Sequence, residues 1–334
     1  MKRISWPTVA LLAGAVLFLV ATVLYIAPSD QYILLPDSPR ALAPLVKVRG
    51  EKPDSDGGGF HYVAVDVRKA SRLEELFPGL QEGATLVPEH VFNPTRVDEG
   101  VRRRAELREM RRSQRYASAV ALKALGFPVR IEPVGGRVAQ TLRGYPAAAK
   151  LRARDLIVSL DGRPVTVPDD VTRMLRERRP GATVTLRVER DGRARDVRIR
   201  TVPNPENPRV PFLGIELTEP TITLPFPVEF DLGRVGGPSA GLAFALDLAE
   251  ELGRNVDRGR RVAATGEIRL DGSVREVGGI KQKTIGARES DMDLFLVPGE
   301  NAAEARRYAG DLRVVPVDSF QQALHALTTE SRGR

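Results

Sequence analysis

Two short segments in the last third of the chain carry residues that could perform acyl-transfer chemistry. The first reads GGPSAG at 236–241 and contains Ser239, and the second reads GGIKQK at 278–283 and contains Lys283. A serine and a lysine can act as nucleophile and general base without a histidine. The histidines at positions 61, 90 and 325 are distant from Ser239 in sequence. A serine–lysine pair is therefore favoured, while a Ser-His-Asp triad assembled in space stays open.

The pattern around Ser239 has both a catalytic and a structural interpretation. Pro238 suits the first turn of a helix, which would place Ser239 at the positive end of the helix dipole. The small residues on either side leave room for the backbone of a substrate. An ordinary N-cap serine in a glycine turn explains the same letters.

Lys283 can act as a base only if its environment lowers its pKa. A free lysine has a pKa near 10.4, so general-base work at pH 7 needs a downward shift of roughly three pKa units, or ~4 kcal/mol, from burial. Lys281 lies two positions earlier, about 200° away around a helix. Only one of the two lysines can face a buried site, and a solvated surface lysine is the alternative for either.

The surrounding residues predict an alternation of helices and strands that would position this pair. Apolar spacing predicts one helix from Pro238 to Leu252 and another from Ile280 to Glu289. Asp271-Gly272 indicates a hairpin turn between two strands, and capping-box patterns begin at Asn301 and Ser319. The predicted strands are Val262–Leu270, Val274–Val277, Leu294–Pro298 and Leu312–Val317. The region from 204 to 330 is thus predicted to be one α/β or α+β domain.

The motif order in this region resembles the proteolytic domain of Lon-type serine proteases. GGPSAG is followed by Thr265-Gly266-Glu267, then by DGSVREVGGIKQK, and the resemblance covers about 213–327. It implies that Ser239 is the nucleophile, that Lys283 is the base and that Thr265 helps to hold the lysine. One departure is Gly236, where many members of the family carry an aspartate. Backbone N–H groups near Gly237 and Ser239 would then stabilise an oxyanion.

The preceding region, 126–203, resembles a PDZ domain. The resemblance rests on Tyr145-Pro146-Ala147-Ala148, on the run from Leu151 to Val165 and on Pro180-Gly181. Arg154 stands where bacterial PDZ domains usually have glycine. Such domains bind extended peptides at a sheet edge. Four prolines between 203 and 211 predict a stiff linker to the next domain.

The N-terminus predicts a membrane anchor. Lys2 and Arg3 precede an uncharged, mostly apolar stretch, which gives a cytoplasmic segment at 1–6 and a transmembrane helix at 7–28. Everything after it would be extracytoplasmic, beginning with a juxtamembrane region at 29–125. Its Arg-rich part, 102–115, is either a solvated helical face or a contact with anionic lipid.

Composition narrows the function classes. The 334 residues have a net charge of +8 and no cysteine, which excludes disulfides and thiol nucleophiles. With 5% aromatic residues and no recognised motif, nucleic acid is not an expected partner. The histidine spacing fits no metal motif, so neither a metal nor a cofactor is predicted. The sequence has no phosphate-binding loop, which predicts proteolysis without ATP in this chain.

The fold class predicted is therefore an α/β (α+β) multidomain protein with a transmembrane helix, a PDZ domain and a Lon-type proteolytic domain. The function expected is a membrane-anchored serine endopeptidase acting on peptide or protein substrates, and the family resemblance adds a hexameric ring. A non-catalytic PDZ scaffold and a basic membrane-surface structural protein are the alternatives.

Overall fold

The computed structural model describes residues 6–48, 58–93, 98–205, 207–233 and 235–329. Most of the predicted cytoplasmic segment at 1–6 lies outside the described residues, including Lys2 and Arg3. The α-helices are α1 Trp6–Ile26, α2 Arg72–Leu76, α3 Glu89–Phe92, α4 Glu99–Ala124, α5 Pro168–Arg176, α6 Gly241–Glu251, α7 Ile280–Glu289, α8 Ala302–Tyr308 and α9 Phe320–Thr329.

The strands fall into several sheets. They are β1 Pro28–Pro36, β2 Arg40–Ala41, β3 Val46–Val48, β4 Gly59–Tyr62, β5 Val65–Ser71, β6 Thr85–Pro88, β7 Arg130–Glu132, β8 Gly136–Thr141, β9 Leu156–Leu160, β10 Arg163–Pro164, β11 Thr183–Arg190, β12 Arg193–Arg200, β13 Val202–Pro203, β14 Pro211–Phe212, β15 Ile215–Leu217, β16 Thr221–Thr223, β17 Val228–Phe230, β18 Arg261–Ala264, β19 Glu267–Ile268, β20 Val274–Arg275, β21 Leu294–Pro298 and β22 Arg313–Val317. The chain is thus a multidomain protein of mixed α and β structure.

Helix α1 covers most of the segment predicted to be a membrane anchor. Among the described residues, however, no helix combines the length and the apolarity that a membrane crossing requires. The predicted transmembrane helix at 7–28 is therefore unsupported.

A five-stranded sheet in the order β2-β4-β18-β21-β22 forms the centre of the largest unit. Strands β4, β18, β21 and β22 run parallel, and β2 is antiparallel to β4. Side chains of successive residues alternate between the two faces. Val262 and Leu296 pack with α4, α6 and α9, whereas Ala263 and Phe295 pack with α7 and α8. The sheet is therefore covered by helices on both faces, as parallel strands require.

This unit draws on both ends of the chain. Strand β4 comes from the predicted juxtamembrane region and pairs with β18, so that Phe60 lies opposite Val262. Helix α4 contributes a buried run, 116–122, to the same core as α6. The division into a juxtamembrane region at 29–125 and a proteolytic domain at 204–330 is thus corrected, because one hydrophobic core contains residues of both.

The region predicted to be a PDZ domain is an insertion into this unit. The chain leaves the larger unit at β7 and returns to it at β16. These two strands pair antiparallel, Arg130–Glu132 with Thr221–Thr223. Between them lies a sheet in the order β12-β11-β9-β8-β15, with β10 paired to β9. Its core includes Leu213, and Ile215 and Leu217 pack against that core.

The inserted domain therefore ends later than the predicted boundary at 203. The predicted linker is also wrong, because β13 and β14 pair across it and return the chain to the same domain. Arg130–Glu132, although within the predicted range 126–203, pairs with β16 as the stem strand β7 and is not a strand of the inserted sheet.

A smaller three-stranded sheet, β5-β1-β6, covers the outer side of α7. The Gln282 side chain donates to Gly83 O at 2.9 Å and to Thr85 Oγ1 at 2.8 Å, which fixes α7 against β6 and the turn before it. Gly286 lets the chain just after β1 approach α7, since a Cβ there would come within 2.2 Å of Asp37 O. Helix α7 is therefore enclosed between two sheets.

Candidate active site

Lys283 is buried and is the fourth residue of α7. The helix begins after Gly279, whose φ of +68° is a left-handed conformation that favours glycine. The Lys283 residue is 3% exposed, and burial lowers its pKa from 10.5 to about 7. The pKa falls through desolvation alone, which disfavours the charged ammonium. Near neutral pH a large fraction of this lysine is therefore uncharged and able to accept a proton.

Lys281 points to the other side of the same helix. Its ammonium donates to Ala84 O at 3.1 Å and to Thr85 Oγ1 at 3.2 Å. It also lies 5.7 Å from the centre of the Tyr308 ring. The structure thus separates the two lysines as helix geometry requires, and it is Lys283 that faces the interior.

Thr265 connects the buried lysine to the serine segment. It follows β18 directly and is fully buried. Lys283 Nζ donates to Thr265 Oγ1 at 3.2 Å, and Thr265 Oγ1 donates to Ser239 O at 3.1 Å. The Gly266 N–H donates to the same carbonyl at 2.8 Å. The structure therefore brings together Ser239, Thr265 and Lys283, although 44 positions separate Ser239 from Lys283 in sequence.

Ser239 lies in a turn rather than at a helix start. Helix α6 begins at Gly241 with Ala240 as its N-cap, so the predicted helix from Pro238 is wrong at its first residues. The Gly241 N–H donates to Pro238 O at 3.2 Å and closes the turn. Within the part of the chain that the structure describes, the Ser239 N–H has no hydrogen-bond acceptor. This N–H is therefore available to a bound group.

Gly237 does not offer the free backbone donor that was predicted. Its φ is +88°, which favours glycine, but its N–H donates to Glu106 O on α4 at 3.1 Å. Ser113, also on α4, donates from Oγ to Pro238 O at 3.0 Å. Sequence reasoning missed this helix as part of the site, and only its Arg-rich composition had drawn attention to it.

The arginines of α4 divide between exposed and half-buried positions. Arg104, Arg108, Arg111 and Arg115 are exposed, as a solvated face predicts. Arg112 instead pairs with Glu267 at 3.3 Å and with Glu219 at 3.8 Å. Since Glu267 follows Thr265 by two residues, Arg112 links α4 to the strand that leaves the site.

The inserted domain contacts the same strand pair through α5. Asp169 Oδ2 accepts from the Leu270 N–H at 3.1 Å, and Asp169 pairs with Arg269 at 3.4 Å. Arg173 Nε donates to Asp271 Oδ2 at 2.8 Å. Arg269, Leu270 and Asp271 belong to the predicted hairpin, which forms between β19 and β20. The hairpin therefore has the lysine–threonine site at its base and the inserted domain at its tip.

A groove of about 280 Å³ runs between α5 and β15. Its apolar lining includes Val171, Leu175, Phe212 and Ile215, and Arg112 lies at its wall. Strand β15 pairs with β8 and forms the end of its sheet. An open edge strand beside an apolar groove can accept an extended peptide as an additional strand.

The remaining sequence candidates lie elsewhere. Asn301 does not cap a helix with its side chain; its Oδ1 accepts from the Val277 N–H at 2.9 Å. His325 is exposed on α9, and His61 bonds to Gly59 O. In the described residues no histidine hydrogen-bonds to the Ser239 turn, and no group of acidic or histidine side chains could hold a metal ion.

Two protein-family models match parts of this chain. Residues 234–329 match the model of the Lon protease (S16) C-terminal proteolytic domain, and residues 123–201 match that of a PDZ domain. The chain therefore contains a Lon-type proteolytic domain and a PDZ domain, and these matches support a serine peptidase.

The curated relatives match this chain only in part. Lon protease 1 of Myxococcus xanthus is 37% identical over 106 residues, which are 29% of this chain and 13% of that protein. The Lon protease of Rickettsia bellii is 34% identical over 100 residues, 28% of this chain and 13% of the relative. The chain thus spans about 13% of the length of these relatives. A solved PDZ domain of the SdrC-like protein from Listeria monocytogenes is 22% identical, covers 27% of this chain and 93% of its own, and has a TM-score of 0.24.

Proposed function

We propose that this protein is a serine endopeptidase in which Ser239 is the nucleophile and Lys283 is the general base. The observation that carries the proposal is the buried Lys283, whose pKa is lowered to about 7 and which is joined through Thr265 to the carbonyl of Ser239. A lysine with a pKa near the working pH is suited to proton transfer. Its burial costs stability, and such a cost is common at catalytic groups.

The proposed reaction is acyl transfer to Ser239. Ser239 Oγ attacks the peptide carbonyl carbon while Lys283 Nζ takes its proton. The oxyanion accepts a hydrogen bond from the Ser239 N–H, which has no acceptor among the described residues. The C–N bond then breaks as Lys283 returns the proton to the leaving amine. Water then attacks the acyl carbon while Lys283 takes its proton; the Oγ–C bond to Ser239 breaks, and Lys283 returns the proton to Ser239 Oγ.

Thr265 has an orienting part in this proposal. Its hydroxyl accepts from Lys283 and donates to Ser239 O, so the lysine and the backbone of the nucleophile share one support. A hydroxyl can donate one hydrogen bond and accept others, which suits it to this bridge.

The groove beside α5 supports peptide recognition by the PDZ domain. We propose that an extended segment of a substrate pairs with β15 and fills the apolar groove. Helix α5 contacts the β19–β20 hairpin, which follows Thr265 in the chain. A segment bound beside α5 would therefore lie next to the proteolytic unit. The same groove also favours the alternative function, a PDZ scaffold that binds peptides without cleaving them.

The test compares single variants of the whole purified chain on casein and on a fluorogenic peptide library without ATP. Wild type should cleave, whereas Ser239→Ala and Lys283→Ala should lose activity. Lys281→Ala is the matched control and should keep it, because Lys281 points away from the site. Equal behaviour of wild type and Ser239→Ala would leave the scaffold as the better function.

Two further proposals come from the sequence and the family resemblance. An extracytoplasmic location is tested by fractionation and by protease accessibility in intact cells. A hexameric ring is tested by sedimentation of the purified protein at several concentrations.

A further inference from the structure

Helix α4 contacts the backbone of the serine turn at two points. The Ser113 hydroxyl, on a residue that is 2% exposed, donates to Pro238 O at 3.0 Å. Two turns earlier, Glu106 O accepts from the Gly237 N–H at 3.1 Å. The two contacts hold consecutive residues of the turn just before Ser239.

The glycines of the GGPSAG segment are explained by this contact. A Cβ at Gly241 would come within 2.7 Å of Ser113 Oγ, and one at Gly236 within 2.9 Å of Glu106 Cβ. Real Cβ atoms essentially never approach so closely. These glycines therefore make room for α4, whereas the sequence had indicated room for a substrate.

Planarity of the peptide bond links Ser113 to the N–H that the proposed reaction uses. Pro238 C=O and Ser239 N–H belong to one peptide group, and in a planar trans peptide they point in opposite directions. Holding the carbonyl on α4 thus turns the N–H away from α4. This is the N–H for which the described residues provide no acceptor.

We propose that Ser113 is a positioning residue, which orients the Pro238–Ser239 peptide group so that the Ser239 N–H can bind the oxyanion. The proposal rests on the serine peptidase function above. Ser113 touches neither substrate nor the reacting atoms; it acts through the peptide group. Without its hydroxyl, the Pro238 carbonyl would lose one of its partners and the peptide group could rotate.

The test is Ser113→Ala with Ser118→Ala as the matched control. Ser118 lies on the same helix and is also 2% exposed, but its Oγ donates to Gln114 O within the helix at 2.9 Å. Ser113→Ala should lower kcat roughly tenfold or more at unchanged KM, as loss of one oriented hydrogen bond predicts. Ser118→Ala should leave kcat unchanged, and both variants should lose similar thermal stability.

A second measurement separates orientation from general structure. A peptide boronic acid forms a tetrahedral adduct with a serine and resembles the transition state. Its affinity should fall in Ser113→Ala by the same factor as kcat. The affinity of uncleaved substrate, measured with Ser239→Ala as background, should stay unchanged. If Ser113→Ala does not fold, Ser113→Cys replaces it, because a thiol is a weak donor.

The outcomes distinguish this proposal from the function on which it rests. If wild-type activity requires Ser239 but Ser113→Ala behaves like Ser118→Ala, the positioning proposal is wrong and the peptidase stands. A loss confined to KM also overturns it. If wild type and Ser239→Ala behave alike, the proposed function itself fails.

Discussion

Replacing Lys283 by methionine should stabilise the folded protein at neutral pH while abolishing its proposed activity. Methionine has a similar length and an apolar, adaptable side chain, so it can fill the same buried space. Lys283 is 3% exposed, and desolvation is the cause of its lowered pKa. Removing the amine therefore removes a group whose charged form opposes folding.

The magnitude follows from the pKa. A fall from 10.5 to about 7 corresponds to about 5 kcal/mol at about 1.4 kcal/mol per pKa unit. At pH 7 the unfolded lysine is fully charged and the folded one is about half charged, which leaves a cost of roughly 4 kcal/mol. The unfolded state binds more protons between these two pKa values, so wild-type stability rises with pH across that window. At pH 10 the remaining cost is below about 1 kcal/mol.

The assay is urea unfolding followed by far-UV circular dichroism at pH 7 and pH 10. Lys283→Met should raise the free energy of unfolding by up to about 4 kcal/mol at pH 7 and by much less at pH 10. Lys281→Met is the control and should show no such pH-dependent gain, because that ammonium has polar partners on and beside β6. In wild type, kcat/KM should rise as pH increases through about 7, where the base becomes neutral.

Two results would refute this reasoning. A gain of the same size at both pH values would show that methionine packs better and that the charge of Lys283 is irrelevant. A loss of stability at pH 7 would show that the lysine is not buried in its neutral form.

Three other variants test the support around the site. Thr265→Val removes the hydroxyl between Lys283 and the carbonyl of Ser239 and should lower kcat at least tenfold. The free energy of unfolding should fall by about 1–3 kcal/mol, because buried polar groups lose their partner. An unchanged kcat would exclude an orienting role of the Thr265 hydroxyl. Thr172 is exposed and lines the groove, so Thr172→Trp should weaken the binding of peptides that the PDZ domain recognises, as measured by fluorescence anisotropy. The rate at which short peptides are cleaved should not change. Arg173→Ala breaks the ion pair with Asp271 and should increase limited proteolysis between the two domains. A digestion pattern like that of wild type would show that this ion pair does not hold the two domains together.

Local sequence signals were reliable where short-range physics decides the outcome. Helix α7 has the predicted bounds, Ile280–Glu289, and β21 occupies Leu294–Pro298 as expected. Asp271-Gly272 lies in the turn of the β19–β20 hairpin, where glycine adopts a φ of +80°. These features depend on periodicity and turn chemistry within a few residues, which the sequence displays directly.

The domain boundaries could not be read in the same way. Strand β4 pairs with β18 about 200 positions later, and β7 pairs with β16 on the far side of an inserted domain. No local pattern distinguishes a strand that pairs at long range from one that pairs nearby. The linker prediction failed for the same reason, because its prolines lie in and around a short strand pair.

By itself the sequence determined which residues could do chemistry: one serine among small residues, two lysines on one helix and a threonine between the motifs. The tertiary structure decided which lysine is buried and that α4 supports the serine turn. Both depend on what encloses them, namely the two sheets around α7 and the close approach of Ser113 to Pro238. A lysine's pKa is set by its solvation in three dimensions, and a sequence records only its neighbours along the chain.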